Sequence, residues 1–226
     1  MTRVLVIGDG KMGRAVAQLA AERGCDVVDM YGPAEMESNI PRGIADVAIE
    51  FTQPDAAARN VRACIAAGIA VVSGTTGWDA DLDAVREEAR RANGAMLHAP
   101  NFSIGVALFA RLVESAARLS AGRFDAHLVE THHAAKLDAP SGTAKMLTRL
   151  AGSAAGKDVP VTSIRVGSVP GTHELVLDAA FEQIRLIHEA RDRRVFADGA
   201  VAAAKWLVGK KGVFTFTDFV NETLHQ

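Results

Sequence analysis

The amino-acid sequence predicts an α/β protein with an N-terminal doubly wound parallel sheet and a C-terminal α+β domain that has a mixed or antiparallel sheet. In the first hundred residues, short apolar β-branched runs alternate with Ala-rich helical stretches, which is typical of βαβ units. After about residue 103, apolar and polar side chains alternate along several segments, which indicates strands with one solvated face. The chain has 226 residues, of which 49% are hydrophobic and 23% charged, so it can form a globular core.

The first half of the chain contains five predicted strands and the helices that connect them. The strands cover residues 3–8, 25–30, 47–51, 69–73 and 95–98, and the helices cover residues 12–23, 54–67 and 79–93. Pro54 fits the first turn of a helix, because an N–H at that position would have no intrahelical partner. Asp79 can cap the third helix. The segment 31–43 contains two glycines and two prolines and is predicted to be a loop.

The second half begins with a long amphipathic helix over residues 104–119. Strands are predicted over residues 124–130, 164–168, 175–179 and 183–189, a helix begins at Phe196, and a short strand covers residues 214–216. This order predicts two domains. Residues 1–103 and 196–226 form a dinucleotide-binding domain, on which the C-terminal segment packs back, and residues 104–195 form the second domain.

Charge and composition exclude several classes of protein. Twenty-five Lys and Arg residues against twenty-seven Asp and Glu residues give a net charge of −2, which argues against nucleic acid or an anionic membrane as the main partner. Two cysteines cannot build a disulfide scaffold or a four-thiolate zinc site. The first residues lack the features of a signal peptide, and no apolar run approaches the ~20 residues that span a bilayer, so a cytoplasmic protein is predicted.

A glycine-rich turn follows the first predicted strand and opens the first helix. It has the pattern G-x-G-x-x-G and consists of Gly8, Asp9, Gly10, Lys11, Met12 and Gly13. In Rossmann-like folds, such glycines permit a tight turn, a close approach of the backbone to the pyrophosphate, and close packing of the helix on the strand. The turn therefore predicts a site for NADH or NADPH.

The residues around this turn bear on the choice between the two cofactors. No acidic residue follows the second strand, where Gly32 stands, and this weakens the prediction of an NAD site. Lys11 and Arg14 flank the turn and can meet a 2′-phosphate, which favours NADPH. A solvated helix start is the alternative interpretation of these two cations.

Two further turns follow the fourth and fifth predicted strands. The first contains Gly74, Thr75 and Thr76, and the second contains Ala99, Pro100, Asn101 and Phe102. Each alone is an ordinary turn. Because the carboxyl ends of parallel strands meet at the edge where open α/β sheets bind ligands, both turns are predicted to line the nicotinamide ribose of the cofactor.

The densest group of polar residues covers positions 130–144 and reads ETHHAAKLDAPSGTA. A histidine can give or take a proton near neutral pH, and a lysine ammonium can supply charge or a second proton. Ser141, Gly142 and Thr143 open a helix, where hydroxyls and backbone N–H groups suit a carboxylate, so a small acid is the predicted substrate. A polar loop with incidental histidines is the alternative interpretation.

Three histidines of this region are candidate ligands of a zinc ion. His127, His132 and His133 fall within seven residues. No cysteine or carboxylate has the familiar ligand spacing beside them, so no metal is predicted.

Several motifs together resemble those of the 4-hydroxy-tetrahydrodipicolinate reductase family, also called dihydrodipicolinate reductases. They are GDGKMGR, EFTQP, SGTTGW, APNFSIGV, ETHHAAKLDAPSGTA, VPGTHE and FADGAVAAAKWL, and they extend over nearly the whole chain. The resemblance implies reduction of a cyclic, imine-type dicarboxylate by NADH or NADPH in lysine and diaminopimelate biosynthesis. It also implies a homotetramer assembled through the second domain, which would bind the substrate.

The resemblance implies roles for individual residues as well. Those expected to act on the substrate are His132 and Lys136 in proton transfer, and His133, Ser141, Gly142 and Thr143 in binding. The cofactor would contact the turn over residues 8–14 and the two later turns. Two alternatives remain: a related two-domain NAD(P)-dependent amino-acid dehydrogenase, which should lack the ETHHAAKLDAPSGTA block, and a nucleotide-sensing regulator.

Overall fold

The structure is a computed structural model that describes residues 1–37 and 39–224. The chain forms two compact units, which we call unit 1 and unit 2. Unit 1 consists of residues 1–103 and the segment from residue 194 onward, and unit 2 consists of residues 104–193. Within the described ranges, no helix is both long enough and apolar enough to cross a membrane.

Ten strands and seven α-helices follow one another along the described residues. The strands are β1 (Arg3–Ile7), β2 (Asp26–Tyr31), β3 (Val47–Glu50), β4 (Ala70–Ser73), β5 (Ala95–His98), β6 (Asp125–His132), β7 (Val161–Arg165), β8 (Thr172–Ala179), β9 (Glu182–Glu189) and β10 (Gly212–Phe214). The helices are α1 (Lys11–Glu22), α2 (Pro54–Ala66), α3 (Asp79–Arg91), α4 (Ile104–Ser120), α5 (Gly142–Ala155), α6 (Arg194–Leu207) and α7 (Phe216–Leu224). A short 3-10 helix covers Glu35–Glu37.

Unit 1 is built on a parallel sheet of six strands. Their order is β10-β5-β4-β3-β1-β2, and each neighbouring pair is parallel. The four residues of β3 are all buried, as expected for a strand covered by helices on both faces. From β1, the chain adds β2 on one side and β3, β4, β5 and β10 on the other, so the strand order reverses between β1 and β3. Open α/β sheets bind ligands at such a switch point, outside the carboxyl ends of the strands.

Unit 2 is built on a mixed sheet with the order β7-β6-β8-β9. β6 pairs with β7 in parallel and with β8 antiparallel, and β8 and β9 are antiparallel. One face of the sheet packs against α4 and α5, with Leu128 and Leu175 of the sheet and Leu147 of α5 fully buried in the shared core. This face also carries the polar side chains at the end of β6 that form the candidate site.

The fold class predicted from the sequence is confirmed, and several element boundaries differ from the prediction. β6 continues to His132, and β7 covers residues 161–165 instead of 164–168, because its parallel register with β6 pairs Leu128 with Val161 and His132 with Arg165. α6 begins at Arg194, two residues before Phe196. β10 ends at Phe214, and α7 was not predicted.

The predicted capping of α3 by Asp79 is wrong. Trp78 occupies the N-cap position, and its side chain makes no cap hydrogen bond. Its indole Nε1 instead donates to the carbonyl oxygen of Thr75 at 2.8 Å, which fixes Trp78 in front of the helix. Asp79 is therefore the first helical residue, where its carboxylate still faces the positive end of the helix dipole.

Candidate active site

The glycine-rich turn of unit 1 has the geometry that a dinucleotide requires. A Cβ at Gly8 would lie 2.1 Å from the carbonyl oxygen of Phe51, and one at Gly13 would lie 1.7 Å from the carbonyl oxygen of Gly8. A Cβ at Gly10, the N-cap of α1, would meet nothing within 4 Å. Gly8 and Gly13 therefore hold the turn tightly against the sheet, while Gly10 leaves the backbone open to a pyrophosphate at the helix N-terminus.

The cations beside the turn are placed differently from one another. Nε of Arg14 donates to the carbonyl oxygen of Asp9 at 2.8 Å, so this guanidinium braces the turn. Lys11 is exposed at the start of α1, and Met12 is half-buried behind it. A cavity of about 360 Å³ lies next to the turn, and its lining includes Asp9.

The second predicted turn packs on the end of β3. A Cβ at Gly74 would lie 2.1 Å from Cε1 of Phe51, so only glycine fits under this ring. Thr75 is buried, and its hydroxyl accepts from the backbone N–H of Thr52 at 2.8 Å. Thr76 is exposed. The side chain of Thr75 therefore serves the turn itself, and Thr76 is the hydroxyl that a ligand can reach.

A buried carboxylate, which the sequence analysis missed, ties these turns together. Glu50 is 0% exposed. Its Oε2 accepts from the hydroxyl of Ser73 at 2.6 Å, and its Oε1 accepts from the hydroxyl of Thr75 at 2.7 Å and from the backbone N–H of Thr52 at 3.0 Å. Because these donors lie at the carboxyl ends of β3 and β4, Glu50 holds the two turns in register. The motif EFTQP contained this residue, but nothing in the pattern showed that it is buried.

The third predicted turn is held between β4 and the C-terminal segment. The backbone N–H of Ala99 donates to the carbonyl oxygen of Ser73 at 3.2 Å, and Oδ1 of Asn101 accepts from the backbone N–H of Ser103 at 2.8 Å. Pro100 is exposed, whereas the ring of Phe102 is 1% exposed. Phe102 therefore contributes to a cofactor site through its backbone and through the position that its buried ring gives to the turn.

In unit 2, the end of β6 carries His132 next to Glu130. Strand alternation points both side chains to the face covered by helices, and both are buried. Nδ1 of His132 lies 3.0 Å from Oε2 of Glu130, within ion-pair distance, and among the described residues neither atom has a hydrogen-bond partner. A proton on Nδ1, the nitrogen that faces this carboxylate, would leave Nε2 of His132 as the nitrogen that can exchange a proton with a ligand.

The other carboxylate oxygen of Glu130 organises the surrounding loop. Oε1 accepts from the backbone N–H of Ser141 at 3.0 Å, from the hydroxyl of Ser163 at 2.7 Å and from Nη2 of Arg165 at 2.8 Å. Burial alone would raise the pKa of Glu130, but the hydrogen bonds from these three residues outweigh it and lower the pKa to about 2. Glu130 is therefore a carboxylate at neutral pH, and it connects the end of β6 to the start of α5.

A second histidine, His173 on β8, lies against His132. The ring centroids are 5.3 Å apart in an edge-to-face arrangement, and Nε2 of His173 is 3.4 Å from the hydroxyl of Ser141. Burial, reinforced by the nearby His132, lowers the pKa of His173 to about 4. Burial also lowers the pKa of His132, against the opposing effect of Glu130, so both rings are neutral at pH 7.

Arg165 and His173 were not predicted as members of this site, and Glu130, which opens the predicted block 130–144, was given no role in it. The spacing of Glu130 and His132 on a strand does place them on one face, which is a signal available from the sequence. His173 belongs to the VPGTHE motif, but its pairing with residue 130 across β6 and β8 depends on strand register. Gly171 of the same motif leaves room for the catalytic candidate, because a Cβ there would lie 3.1 Å from Nε2 of His132.

The remaining predicted substrate residues lie in the turn after β6 and at the start of α5. Nζ of Lys136 is 2.7 Å from Oδ1 of Asp138, and the backbone N–H of Lys136 donates to the carbonyl oxygen of His133, which closes the turn. Ser141 caps α5, since its hydroxyl accepts from the backbone N–H of Ala144 at 3.1 Å.

Gly142 and Thr143 are the first two residues of α5, at the positive end of its dipole. A Cβ at Gly142 would meet nothing within 4 Å, so a ligand can approach the helix start closely. A carboxylate fits there, as it does at other exposed helix N-termini.

The cluster also offers ligands for a metal ion, although not the trio considered from the sequence. Glu130, His132 and His173 can each place one ligand atom within 4.8 Å of the others, whereas the ring of His127 contacts the Thr162 hydroxyl at 2.8 Å. Positive charge already occupies this region. Arg165 donates to Glu130, and the charges of Lys136 and Arg165 both lower the pKa of His132. The positive charges of Lys136 and Arg165 oppose the binding of a metal cation at these three residues. That the protein binds no metal stays a prediction.

The fold of unit 1, its open glycine turn, and the buried histidines and open helix start of unit 2 are features of two-domain, dinucleotide-dependent oxidoreductases. Comparison with known proteins identifies the family. The model of the dihydrodipicolinate reductase N-terminus matches residues 2–102, and that of the dihydrodipicolinate reductase C-terminus matches residues 105–220. The chain therefore belongs to the dihydrodipicolinate reductase family.

Individual relatives align with this chain over nearly their whole lengths. The 4-hydroxy-tetrahydrodipicolinate reductase of Christiangramia forsetii is 34% identical over 97% of this chain and 98% of its own. That of Haloarcula marismortui is 37% identical over 98% of this chain and 100% of its own. A dipicolinate-bound dihydrodipicolinate reductase from Paenisporosarcina sp. TG-14 has the same fold, with a TM-score of 0.77, 21% identity, and coverage of 95% of this chain and 97% of its own.

Proposed function

We propose that this protein reduces 4-hydroxy-tetrahydrodipicolinate to tetrahydrodipicolinate with NADH or NADPH, in lysine and diaminopimelate biosynthesis. The observation that carries the proposal is the pairing of His132 with Glu130 beside the start of α5, because it joins a proton-transfer group to an anion site. Membership of the reductase family supports it along the whole chain. The residue roles below are part of the proposal.

The residues of unit 1 fit a nicotinamide dinucleotide. Gly10 leaves the backbone open beside the N-terminus of α1, and the cavity of about 360 Å³ next to the turn provides space for the rest of a nucleotide. The turns at residues 74–76 and 99–102, held in register by Glu50 and Phe102, would line the nicotinamide ribose. When bound, the reduced nicotinamide supplies the hydride.

The residues of unit 2 suit a small dicarboxylate. Gly142 and Thr143 would hold one carboxylate at the start of α5, with Ser141 fixing the cap. His133 and the ammonium group of Lys136 would contact the rest of the substrate. The bound dipicolinate of the Paenisporosarcina relative supports a ligand of this chemistry. Holding the carboxylates orients the ring, and this is where positioning contributes most to the rate.

Proton transfer would use His132 and Lys136. The pKa of His132 is lowered chiefly by burial, so its ring is neutral before substrate binds. A dianionic substrate adds negative charge beside the ring and raises the pKa of His132 again, so that the bound complex takes up a proton. Glu130 fixes the tautomer, and Lys136 serves as the proton donor to the reduced substrate.

The test is a spectrophotometric assay of NADH and NADPH oxidation with freshly generated 4-hydroxy-tetrahydrodipicolinate. We expect His132→Gln to lower kcat by about 100-fold or more while the dissociation constant of the cofactor stays unchanged. Wild-type turnover by His132→Gln would refute its role. Oxidation of neither cofactor by the wild-type protein would refute the proposed reaction and favour a nucleotide sensor.

Matched controls lie on the same elements. His127→Gln makes the same change on β6, but its side chain points to the opposite face of the sheet and contacts Thr162. Lys145→Ala removes an exposed ammonium on α5, as Lys136→Ala does in the turn before it. We expect both controls to retain wild-type kcat.

We also propose that the protein is a homotetramer assembled through unit 2. The sheet face opposite α4 and α5 carries apolar side chains that are open to solvent, among them Ile164 at 42% and Ile187 at 57% exposure. Exposed apolar patches of this kind are typical of interaction surfaces. Light scattering should give four times the mass of one chain, and Ile187→Asp should lower it; a monomeric wild-type protein would refute the assembly. The cytoplasmic location stays a prediction from the sequence.

A further inference from the structure

The end of β2 carries a carboxylate that the sequence pattern does not reveal. The backbone N–H of Gly32, directly after β2, donates to Oε2 of Glu35 at 2.8 Å. The 3-10 helix at Glu35–Glu37 folds back so that this side chain reaches a residue three positions earlier. Dinucleotide folds place an acid at the end of the second strand to accept the ribose hydroxyls of NAD. Glu35 brings a carboxylate to that position from outside the usual spacing.

A second carboxylate lies at the same point. A Cβ at Gly32 would lie 3.2 Å from Oε2 of Glu35 and 3.2 Å from Oδ2 of Asp9. Asp9 belongs to the glycine-rich turn and lines the cavity of about 360 Å³, together with Gly32 and Pro33. Gly32 therefore stands between two acids that come from different segments, with no side chain of its own to shield them.

The cations near the cavity do not balance these acids. Arg59 of α2 lines the cavity, but Asp55, one helical turn earlier, lines it as well. Arg14 braces the turn through the carbonyl oxygen of Asp9. Lys11, Arg14 and Glu35 all lie outside the set of residues that line the cavity, and Glu35 is placed beside it by its hydrogen bond to Gly32. Around Gly32 and the cavity beside it, the carboxylates of Asp9, Glu35 and Asp55 therefore outnumber the guanidinium of Arg59.

From these contacts we infer that the protein selects NADH over NADPH, with Glu35 accepting from the adenosine ribose and Asp9 and Glu35 repelling a 2′-phosphate. This inference rests on the proposed function and goes against the preference for NADPH that Lys11 and Arg14 suggest in the sequence. A phosphate monoester carries between one and two negative charges at neutral pH. Like charges about 4–5 Å apart at a protein surface weaken binding by roughly tenfold.

The experiment measures the dissociation constants of NADH and NADPH by nicotinamide fluorescence, and kcat/KM with each cofactor. The wild-type protein should prefer NADH by about tenfold or more in both measurements. Glu35→Gln should weaken NADH and strengthen NADPH, so that the preference falls by about tenfold. Asp9→Asn should strengthen NADPH and leave NADH nearly unchanged. Added salt should narrow the wild-type preference, because screening weakens the repulsion.

Glu22→Gln is the matched control, since it removes one negative charge at the far end of α1, roughly 16 Å along the helix from the turn. It should keep the wild-type preference. The inference would be overturned if the wild-type protein bound NADPH as tightly as NADH, or more tightly. It would also be overturned if Glu35→Gln and Glu22→Gln showed the same preference for NADH over NADPH. Because binding is measured without substrate, a failure of the proposed reaction leaves these results interpretable.

Discussion

The buried ring of His173 contributes to the sensitivity of unit 2 to mild acid, and His173→Asn should remove that contribution. His173 is 4% exposed, and its burial and the neighbouring His132 lower its pKa to about 4 from the 6.5 of an unfolded chain. Below pH 6.5 the unfolded chain therefore binds a proton that the folded protein does not bind. The unfolding free energy therefore falls as the pH falls from about 6.5 to 4. Below pH 4 the folded protein also binds the proton, so His173 causes no further loss.

The size of the effect follows from the two pKa values. The fall from 6.5 to about 4 corresponds to about 3 kcal/mol of unfolding free energy, of which about 2 kcal/mol is lost by pH 5. An asparagine cannot take up that proton. The cavity it leaves destabilises the variant at every pH, so the comparison uses the change between pH 7 and pH 5 within each protein.

Urea unfolding followed by far-UV circular dichroism provides the measurement. Tryptophan fluorescence is unsuitable, because Trp78 and Trp206 both lie in unit 1. The wild-type protein should lose about 2 kcal/mol more than His173→Asn between pH 7 and pH 5. Equal losses in the two proteins, or an NMR titration of His173 near 6.5, would refute the assignment of a buried neutral ring.

Three further predictions concern packing and charge. Glu130→Gln removes the charged partner of Arg165, whose side chain is only 18% exposed. Urea unfolding should show an unfolding free energy about 3–5 kcal/mol lower than that of the wild-type protein. An unchanged value would show that the ion pair is dispensable for stability. Gly13→Ala places a methyl group 1.7 Å from the carbonyl oxygen of Gly8, so the glycine-rich turn must move. Calorimetry should then detect no cofactor binding. Wild-type affinity for the cofactor would show that the turn tolerates a side chain at this position. Cys64 is 0% exposed and burial raises the pKa of its thiol, so a thiol reagent should label it only after unfolding, and rapid labelling of the native protein would show that the site opens.

Local patterns were sufficient to predict much of unit 1. The alternation of apolar runs and Ala-rich stretches identified five strands of its sheet, because each strand and each helix carries its own periodicity. The glycine turn was predictable because Gly8 and Gly13 are required by contacts that any strand-turn-helix unit of this kind makes. Glu35 was not predictable, because its hydrogen bond to Gly32 depends on a short 3-10 helix without a periodic pattern.

In the polar cluster of unit 2, too, some residues were predictable from the local sequence and others were not. His132 and Lys136 stood out because they are concentrated in one segment of the sequence. Arg165 and His173 are brought to Glu130 by the pairing of β6 with β7 and β8, and strand register over such separations cannot be read from one sequence. Burial then turns Glu130 into the anchor of the site, which is a property of the folded protein alone.

The division of unit 1 into two segments has a consequence for how the chain is made. β10 pairs with β5 although more than a hundred residues separate them, and a Cβ at Gly199 of α6 would lie 1.8 Å from the carbonyl oxygen of Phe102. During synthesis from the N-terminus, the last strand of the unit 1 sheet and the helix that packs on Phe102 leave the ribosome only after all of residues 104–193. The nucleotide-type sheet, although first in the sequence, is therefore the last to be completed, and a nascent chain stopped near residue 193 would contain a whole unit 2 attached to an unfinished unit 1.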